Sequence, residues 1–122
     1  MSQDSLNLEA LPRPSRAEWE LLAIICELGN PTVHEARALQ DSPLDYNSTY
    51  TLIQRLVAKG YLAVDRRGPR DVHYSVKVDQ EAMLRLEVKR FLAQVVRSDV
   101  QNLTLVRKLV DARIKKAKAA RK

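Results

Sequence analysis

Residues 45–62, DYNSTYTLIQRLVAKGYL, carry polar side chains in a pattern that suits the binding of a ligand. Asn47, Thr51 and Gln54 recur at helical spacing, which places them on one face of a predicted helix, with Tyr50 alongside. Their amide and hydroxyl groups match the donors and acceptors on base edges in the major groove of DNA. Glu, Lys and Ala would normally fill an exposed helix face. This polar face therefore indicates base recognition.

Basic and hydroxyl side chains near this face could bind phosphates. Ser48 lies close to the predicted helix N-terminus, where backbone N–H groups attract anions, and Arg55 lies about two turns further along. Arg66, Arg67 and Arg70 follow around a predicted turn. Residues 55–70 hold a local charge of +4, counting Arg55, Lys59, Arg66, Arg67 and Arg70 against Asp65. The coincidence of a polar helix face and a basic turn favours double-stranded DNA as the partner.

Each of these residues also has a simpler interpretation. Asn47 and Ser48 could merely cap the helix, Gln54 could be an ordinary exposed side chain, and the arginines could form a solvated loop. A protein of another class would also fit, namely an interaction module whose surface binds a protein and not DNA. Salt would discriminate the two, because phosphate contacts weaken steeply as salt rises.

Catalytic, metal-binding and cofactor-binding patterns are missing from the sequence. His34 and His73 are far apart, with no nucleophile or paired carboxylates placed beside them by a motif. Cys26 is the single cysteine, which excludes an intramolecular disulfide and a thiolate metal cluster. We expect no enzyme activity, no metal and no cofactor, and we place Cys26 in the core.

Length and composition are those of a compact globular protein. The chain has 122 residues, of which 45% are hydrophobic and 30% charged, with a net charge of +6. This length suits one core and an appendage. The N-terminus has no signal-peptide pattern, and no run of 18 apolar residues occurs. These features predict a cytoplasmic protein without membrane insertion.

Capping signals define the predicted helices. Residues 1–14 end in PRP and are expected to form a flexible arm. Ser15 with Glu18 opens a helix over 16–28, whose predicted apolar stripe is Trp19, Leu22, Ala23 and Cys26. Thr32 with Glu35 opens a short second helix, and Asp45 begins a third that runs to Gly60. Three such helices match a helix-turn-helix arrangement.

A β-hairpin and two more helices complete the predicted fold. YLAVDRR and VHYSVKV flank the turn sequence GPRD, and helical periodicity returns from Asp79, with a break near Ser98. We predict a mostly α fold with a small β-hairpin wing, divided into an arm (1–14), a winged helix-turn-helix DNA-binding domain (15–78) and a helical dimerisation region with a basic tail (79–122).

The C-terminal helices carry apolar stripes that need a partner. They could pack on the N-terminal unit or on another copy, and the heptad-like spacing favours another copy. We therefore predict a homodimer through residues 80–115, with the dimerisation residues Leu84, Phe91, Leu92, Val95, Leu103, Val106, Val110 and Ile114.

Several segments resemble the penicillinase repressor family of winged-helix transcription regulators. They are SRAEWELLAIICELG, TVHEARAL, LDYNSTYTLIQRLVAKGYL and VHYSV, within residues 13–78. The resemblance implies a homodimeric repressor on a palindromic operator, controlling β-lactam-resistance or related stress-response genes. It also implies recognition contacts at Asn47, Ser48, Tyr50 and Thr51.

One feature of that family is missing here. In its β-lactam-responsive members, repression ends when the dimerisation region is cut at an Asn-Phe junction. Alignment through Leu103, Thr104 and Leu105 places Val106 and Arg107 at this junction. We therefore expect no cut here by a protease of that specificity. Release would need another route, or a sensor protease that recognises different residues.

Overall fold

The computed structural model describes residues 8–41 and 43–121. In these ranges the chain forms five α-helices and one antiparallel hairpin. The first three helices precede the hairpin: α1 (Arg16–Leu28), α2 (Val33–Ala38), α3 (Tyr46–Lys59), β1 (Leu62–Gly68) and β2 (Asp71–Val76). Two helices follow it, α4 (Gln80–Phe91) and α5 (Val100–Ala120). This architecture confirms the predicted winged helix-turn-helix followed by a helical region.

Helix α1 begins and ends where its capping signals predict. The Ser15 side chain accepts from the Glu18 N–H, and the Glu18 carboxylate accepts from the Ser15 N–H at 2.8 Å. The predicted buried stripe is wrong in part, because Ala23 is exposed and Trp19 and Cys26 are only half-buried. The Cys26 thiol lies 2.9 Å from the Gln80 side-chain oxygen, to which it donates.

The buried stripe of α1 is instead centred on Leu21 and Ile25, with Glu18 at its N-terminal end. Glu18 is only 1% exposed, and Lys59 from α3 donates to it at 2.5 Å. Burial raises the pKa of Glu18, but the hydrogen bonds from Lys59 and Ser15 outweigh this and hold the pKa below its ordinary value. A charged residue can therefore occupy the stripe because an opposite charge pairs with it.

Helix α3 is fixed by caps at both ends and by its buried side. Asp45 accepts from the Ser48 N–H at 2.7 Å, and Gly60 ends the helix at a φ of 98°. A Cβ at Gly60 would also approach a Leu11 methyl carbon to 3.2 Å. Ile53 and Leu56 are fully buried in the core of the N-terminal unit. Replacing either with Ala would cost about 2–5 kcal/mol.

A buried polar contact holds the turn between α2 and α3. The Thr49 hydroxyl is fully buried and donates to the Gln40 side-chain oxygen at 3.1 Å. The same oxygen accepts from the Leu44 N–H at 3.4 Å, and Arg37 donates to the Leu44 carbonyl. This network sets the direction in which α3 leaves the turn.

The hairpin pairs Leu62 with Val76 at its base and Gly68 with Asp71 near its tip. A bulge lies between Arg66 and Gly68, so Arg67 has no partner in the strand register. The hairpin is attached to the helices by its backbone, because the Tyr74 N–H donates to the Pro31 carbonyl at 2.9 Å.

Residues 8–13 lie against the N-terminal unit, whereas the sequence predicts a flexible arm over 1–14. Leu8 and Leu11 pack on its core. The Tyr61 hydroxyl donates to the Pro12 carbonyl at 2.8 Å, and Lys59 donates to the Arg13 carbonyl at 3.1 Å. The part of the predicted arm over residues 1–7 lies outside the described residues.

The chain divides into two compact units, with the boundary after Met83. In the C-terminal unit, α4 passes into a π-helical turn over Leu92–Val96, and Arg97 follows at a φ of 63°. Asp99 then caps α5 by accepting from the Gln101 N–H at 2.8 Å. The predicted break near Ser98 is confirmed.

The predicted dimerisation residues are largely uncovered in this unit. Leu92 and Val106 are half-buried, whereas the other six are exposed: Leu84, Phe91, Val95, Leu103, Val110 and Ile114. The Val106–Arg107 bond lies inside α5, where Arg107 is exposed.

Candidate nucleic-acid interface

The outer side of α3 presents the side chains that the sequence predicts as base readers. Asn47 and Thr51 are exposed, and Gln54 is half-buried beside them. Neither Asn47 nor Ser48 caps the helix, because the Asp45 side chain does so. That simpler interpretation of the two residues is therefore wrong, and both side chains are exposed at the N-terminal end of α3.

Two of the reader side chains already have partners within the protein. The Thr51 hydroxyl donates to the Asn47 carbonyl at 2.9 Å, so its proton is already bonded within the helix. The Gln54 side-chain nitrogen donates to the Tyr74 hydroxyl at 3.0 Å. Gln54 is therefore not the ordinary exposed residue of the simpler interpretation. The contact with Tyr74 could not be read from the sequence, because it joins residues twenty positions apart.

Tyr50 lies on the side of α3 that faces the hairpin. It is 43% exposed and stacks on Tyr46, with ring centroids 6.3 Å apart and planes 10° apart. The His34 ring lies 4.6 Å from the Tyr46 ring. Sequence reasoning missed Tyr46 and His34, although the four-residue spacing of Tyr46 and Tyr50 is a signal for ring contact on a helix.

A cleft of about 410 Å³ lies between this aromatic group and the hairpin. Its lining combines aromatic, apolar and basic side chains and contains no carboxylate: Thr32, Val33, His34, Tyr46, Tyr50, Arg66, Pro69, Arg70, Val72 and Tyr74. Among the described residues, neither Arg66 nor Arg70 forms an ion pair. Their two charges are therefore free to attract an anion.

Arg67 differs from its two neighbours. It donates to Asp65 at 2.9 Å, and the Asn30 side-chain oxygen accepts from its guanidinium group. The hydrogen bond from Arg67 lowers the pKa of Asp65. Arg67 is not among the residues that line the cleft. The sequence groups the three arginines together, but the structure separates Arg67 from the other two.

His73 joins the hairpin to the loop between α1 and α2. Its Nδ1 lies 2.7 Å from the Asn30 carbonyl oxygen, and its Nε2 lies 2.7 Å from an Asp71 carboxylate oxygen. Because both neighbours are acceptors, both contacts are satisfied only when the ring carries two protons. The Asn30 carbonyl, and then Asp71, raise the pKa of His73 above its ordinary value.

Arg55 is exposed on the opposite edge of the α3 surface from Tyr50. Its charge contributes to lowering the pKa of Glu18, but no ion pair joins the two side chains. The guanidinium group is thus positioned beside the reader face, where a phosphate could bind it.

The described ranges, 8–41 and 43–121, hold no group of three or more His, Cys, Asp or Glu side chains able to bind a metal ion. Within the same ranges, no helix is long and apolar enough to cross a membrane.

The fold consists of three helices, the third with a polar outer face, followed by a basic hairpin. This combination defines the class of winged helix-turn-helix DNA-binding transcription regulators. The sequence matches the model described as "Penicillinase repressor" over residues 14–121. The chain therefore belongs to the penicillinase repressor family, and the family is one of DNA-binding transcriptional repressors and not of enzymes. Among curated proteins, none matches the chain.

Proposed function

We propose that this chain is a homodimeric, cytoplasmic repressor that reads a palindromic operator with the outer side of α3. The observation that carries the proposal is the continuity of two surfaces. The exposed reader side chains of α3 adjoin a carboxylate-free cleft that holds the two unpaired arginines, Arg66 and Arg70. A surface with base-reading groups beside free cations suits duplex DNA.

The roles of the reader side chains follow from their chemistry. Asn47 and Gln54 suit adenine, whose N7 accepts and whose N6 donates in the major groove. The methyl group of Thr51 suits the methyl group of thymine, because its hydroxyl proton is already bonded to Asn47. Tyr50 extends the same surface toward the hairpin.

Phosphate contacts would fix the orientation of α3 in the groove. Ser48 lies in the first turn of α3, where its exposed hydroxyl would donate to a phosphate, and Arg55 lies at the edge of the reader face. Arg66 and Arg70 would bind the backbone from the hairpin. Arg67 contributes less, since Asp65 already neutralises its charge.

The dimer is supported by the exposed apolar residues of the C-terminal unit. Phe91 is 47% exposed and Val110 50% exposed, although large apolar side chains gain free energy when they leave water. A twofold dimer would bury these side chains and would place two recognition helices about 34–36 Å apart, or a multiple of this distance. A twofold protein binds a palindromic site for the same geometric reason.

Selection of bound duplexes from a random library tests the proposal. We expect recovery of an inverted repeat, and Asn47→Ala should weaken binding to it by about 1–3 kcal/mol while leaving binding to random DNA unchanged. Equal losses on both DNAs would remove Asn47 from base reading. Absence of any duplex binding at low salt would reject the proposal in favour of a protein-interaction module.

We also propose that β-lactam-resistance or related stress-response genes are the targets, and that release does not use an Asn-Phe cut. Val106 and Arg107 occupy the aligned junction in α5. Incubation of the protein with inducer-treated cell extract, followed by fragment sequencing, tests this. We expect no fragment ending at Val106, and a single cut between Val106 and Arg107 would contradict the proposal. A cut at another bond would identify a sensor protease of different specificity.

A further inference from the structure

Tyr74 connects the hairpin to the reader surface of α3. It lies on β2, is 3% exposed, and its hydroxyl accepts from the Gln54 side-chain nitrogen at 3.0 Å. Two backbone contacts hold Tyr74 in place. Its N–H donates to the Pro31 carbonyl at 2.9 Å, and its carbonyl accepts from the Asn30 side chain at 3.2 Å. The hydroxyl is therefore attached to a fixed part of the fold.

This contact determines which groups of Gln54 remain for a ligand. A glutamine amide has two N–H donors and one acceptor oxygen, and a half-turn about its last bond exchanges their positions. With one N–H bonded to Tyr74, the second N–H and the oxygen remain for other partners. Burial raises the pKa of Tyr74, so the hydroxyl keeps its proton and stays neutral around physiological pH.

We infer that Tyr74 is a positioning residue that holds the Gln54 side chain in one conformation against β2 and so determines which base Gln54 prefers. In this conformation, the free N–H and the oxygen match N7 and N6 of adenine. Without the hydroxyl, the Gln54 side chain loses the contact that holds it and can adopt other conformations, so the preference for one base weakens. The inference rests on the proposed function, because it assumes that α3 reads DNA.

The test compares base preferences after selection from a random duplex library for the full chain and five variants. Gln54→Ala should reduce the preference at one position of each half-site by about 5- to 150-fold. Tyr74→Phe should reduce it at the same position by at least about threefold, with binding to random DNA unchanged. The double variant should match Gln54→Ala, because the tyrosine acts through the glutamine.

Tyr61→Phe is the matched control. Tyr61 is also 3% exposed and also uses its hydroxyl in a hydrogen bond, in this case to the Pro12 carbonyl. A merely structural loss of a buried hydroxyl would lower the thermal midpoint in both Phe variants. Only Tyr74→Phe should change the base preference.

A second variant keeps the inference testable if Tyr74→Phe does not fold. Gln54→Glu presents acceptors only, so the Tyr74 hydroxyl donates to it and the remaining oxygen favours the amino group of cytosine. We expect the preferred base at that one position to change. An unchanged preference would overturn the inference.

Failure of the inference can be distinguished from failure of the proposed function. If the wild-type chain selects a sequence but Tyr74→Phe keeps the full preference, Tyr74 does not position Gln54. An unchanged preference in Gln54→Ala would likewise overturn the inference while leaving the operator proposal intact. If the wild-type chain selects no sequence, the proposed function fails, and the inference fails with it.

Discussion

Neutralising single arginines of the hairpin should separate those that bind phosphate from the one that is already paired. Arg66 and Arg70 line the cleft without a carboxylate partner, whereas Arg67 donates to Asp65 at 2.9 Å. We therefore expect Arg66→Gln to weaken DNA binding and to reduce its salt dependence. Arg67→Gln should leave the salt dependence unchanged. The glutamine keeps a polar side chain and removes the charge.

The size of the effect follows from counterion release. Each phosphate contact contributes about 0.9 to the slope of log affinity against log salt. In a twofold dimer, Arg66→Gln removes two such contacts, so the slope should fall by about 1.8. Between about 50 and 200 mM salt, the wild type should then lose about 12-fold more affinity than the variant. A monomer on DNA would show about half this slope change.

Fluorescence anisotropy with a labelled duplex, titrated at five or more salt concentrations, would measure these slopes. Arg70→Gln should behave like Arg66→Gln. Arg85→Gln, in the C-terminal unit, serves as the control for a general change in net charge. An Arg67→Gln slope as low as that of Arg66→Gln would contradict this prediction, since Asp65 would then not hold Arg67 away from phosphate.

Three further predictions concern stability, pH and assembly. Lys59→Met should destabilise the fold by about 1–3 kcal/mol in chemical denaturation, because Glu18 is buried and loses its charged donor. The pKa of Glu18 is lowered in the folded state, so the stability from this ion pair should be present at neutral pH and lost as the pH falls through the folded pKa. A destabilisation by Lys59→Met that is independent of pH would contradict this prediction. The raised pKa of His73 has the opposite sign: its contribution is fully present below the unfolded pKa and lost as the pH rises through the folded pKa. The thermal midpoints of the wild type and of His73→Gln should therefore converge as the pH rises from about 5.5 to about 8.5. A difference between the two midpoints that stays constant over this range would exclude a doubly protonated His73 ring in the folded protein. Leu103→Asp should convert the proposed dimer to a monomer in sedimentation velocity at micromolar concentration. Gln101→Asp, exposed on the same helix, should leave the association state unchanged, and an unaltered association state in Leu103→Asp would place the interface elsewhere.

Local sequence signals account for most of the element boundaries. The capping boxes at Ser15 and Thr32 and the Asp45 cap are hydrogen bonds between residues three positions apart, so their pattern is visible in the sequence. The start of α5 is also set by a local contact, because the Asp99 side chain caps this helix by accepting from the Gln101 and Asn102 N–H groups. Helical periodicity likewise predicts which side of α3 is polar, because it depends only on spacing.

The buried side of α1 shows where this reasoning fails. The buried positions 18, 21, 22 and 25 have helical spacing, but the first of them is a glutamate. A hydrophobic pattern therefore selects the neighbouring stripe that begins at Trp19. Glu18 can be buried because Lys59, on another helix, pairs with it. The packing of α1 against α3 decides this, and neither segment shows it alone.

The order and ends of the helices, the hairpin and the polar face of α3 can be predicted from the amino-acid sequence. Those features depend on backbone preferences and on hydrogen bonds between near neighbours. Three contacts are visible only in the folded chain: Tyr74 holds Gln54, Arg67 is paired while Arg66 is free, and His73 lies between two acceptors. These contacts depend on a bulge and on the packing of β2 against the helices, which bring together groups from separate elements that no local pattern connects.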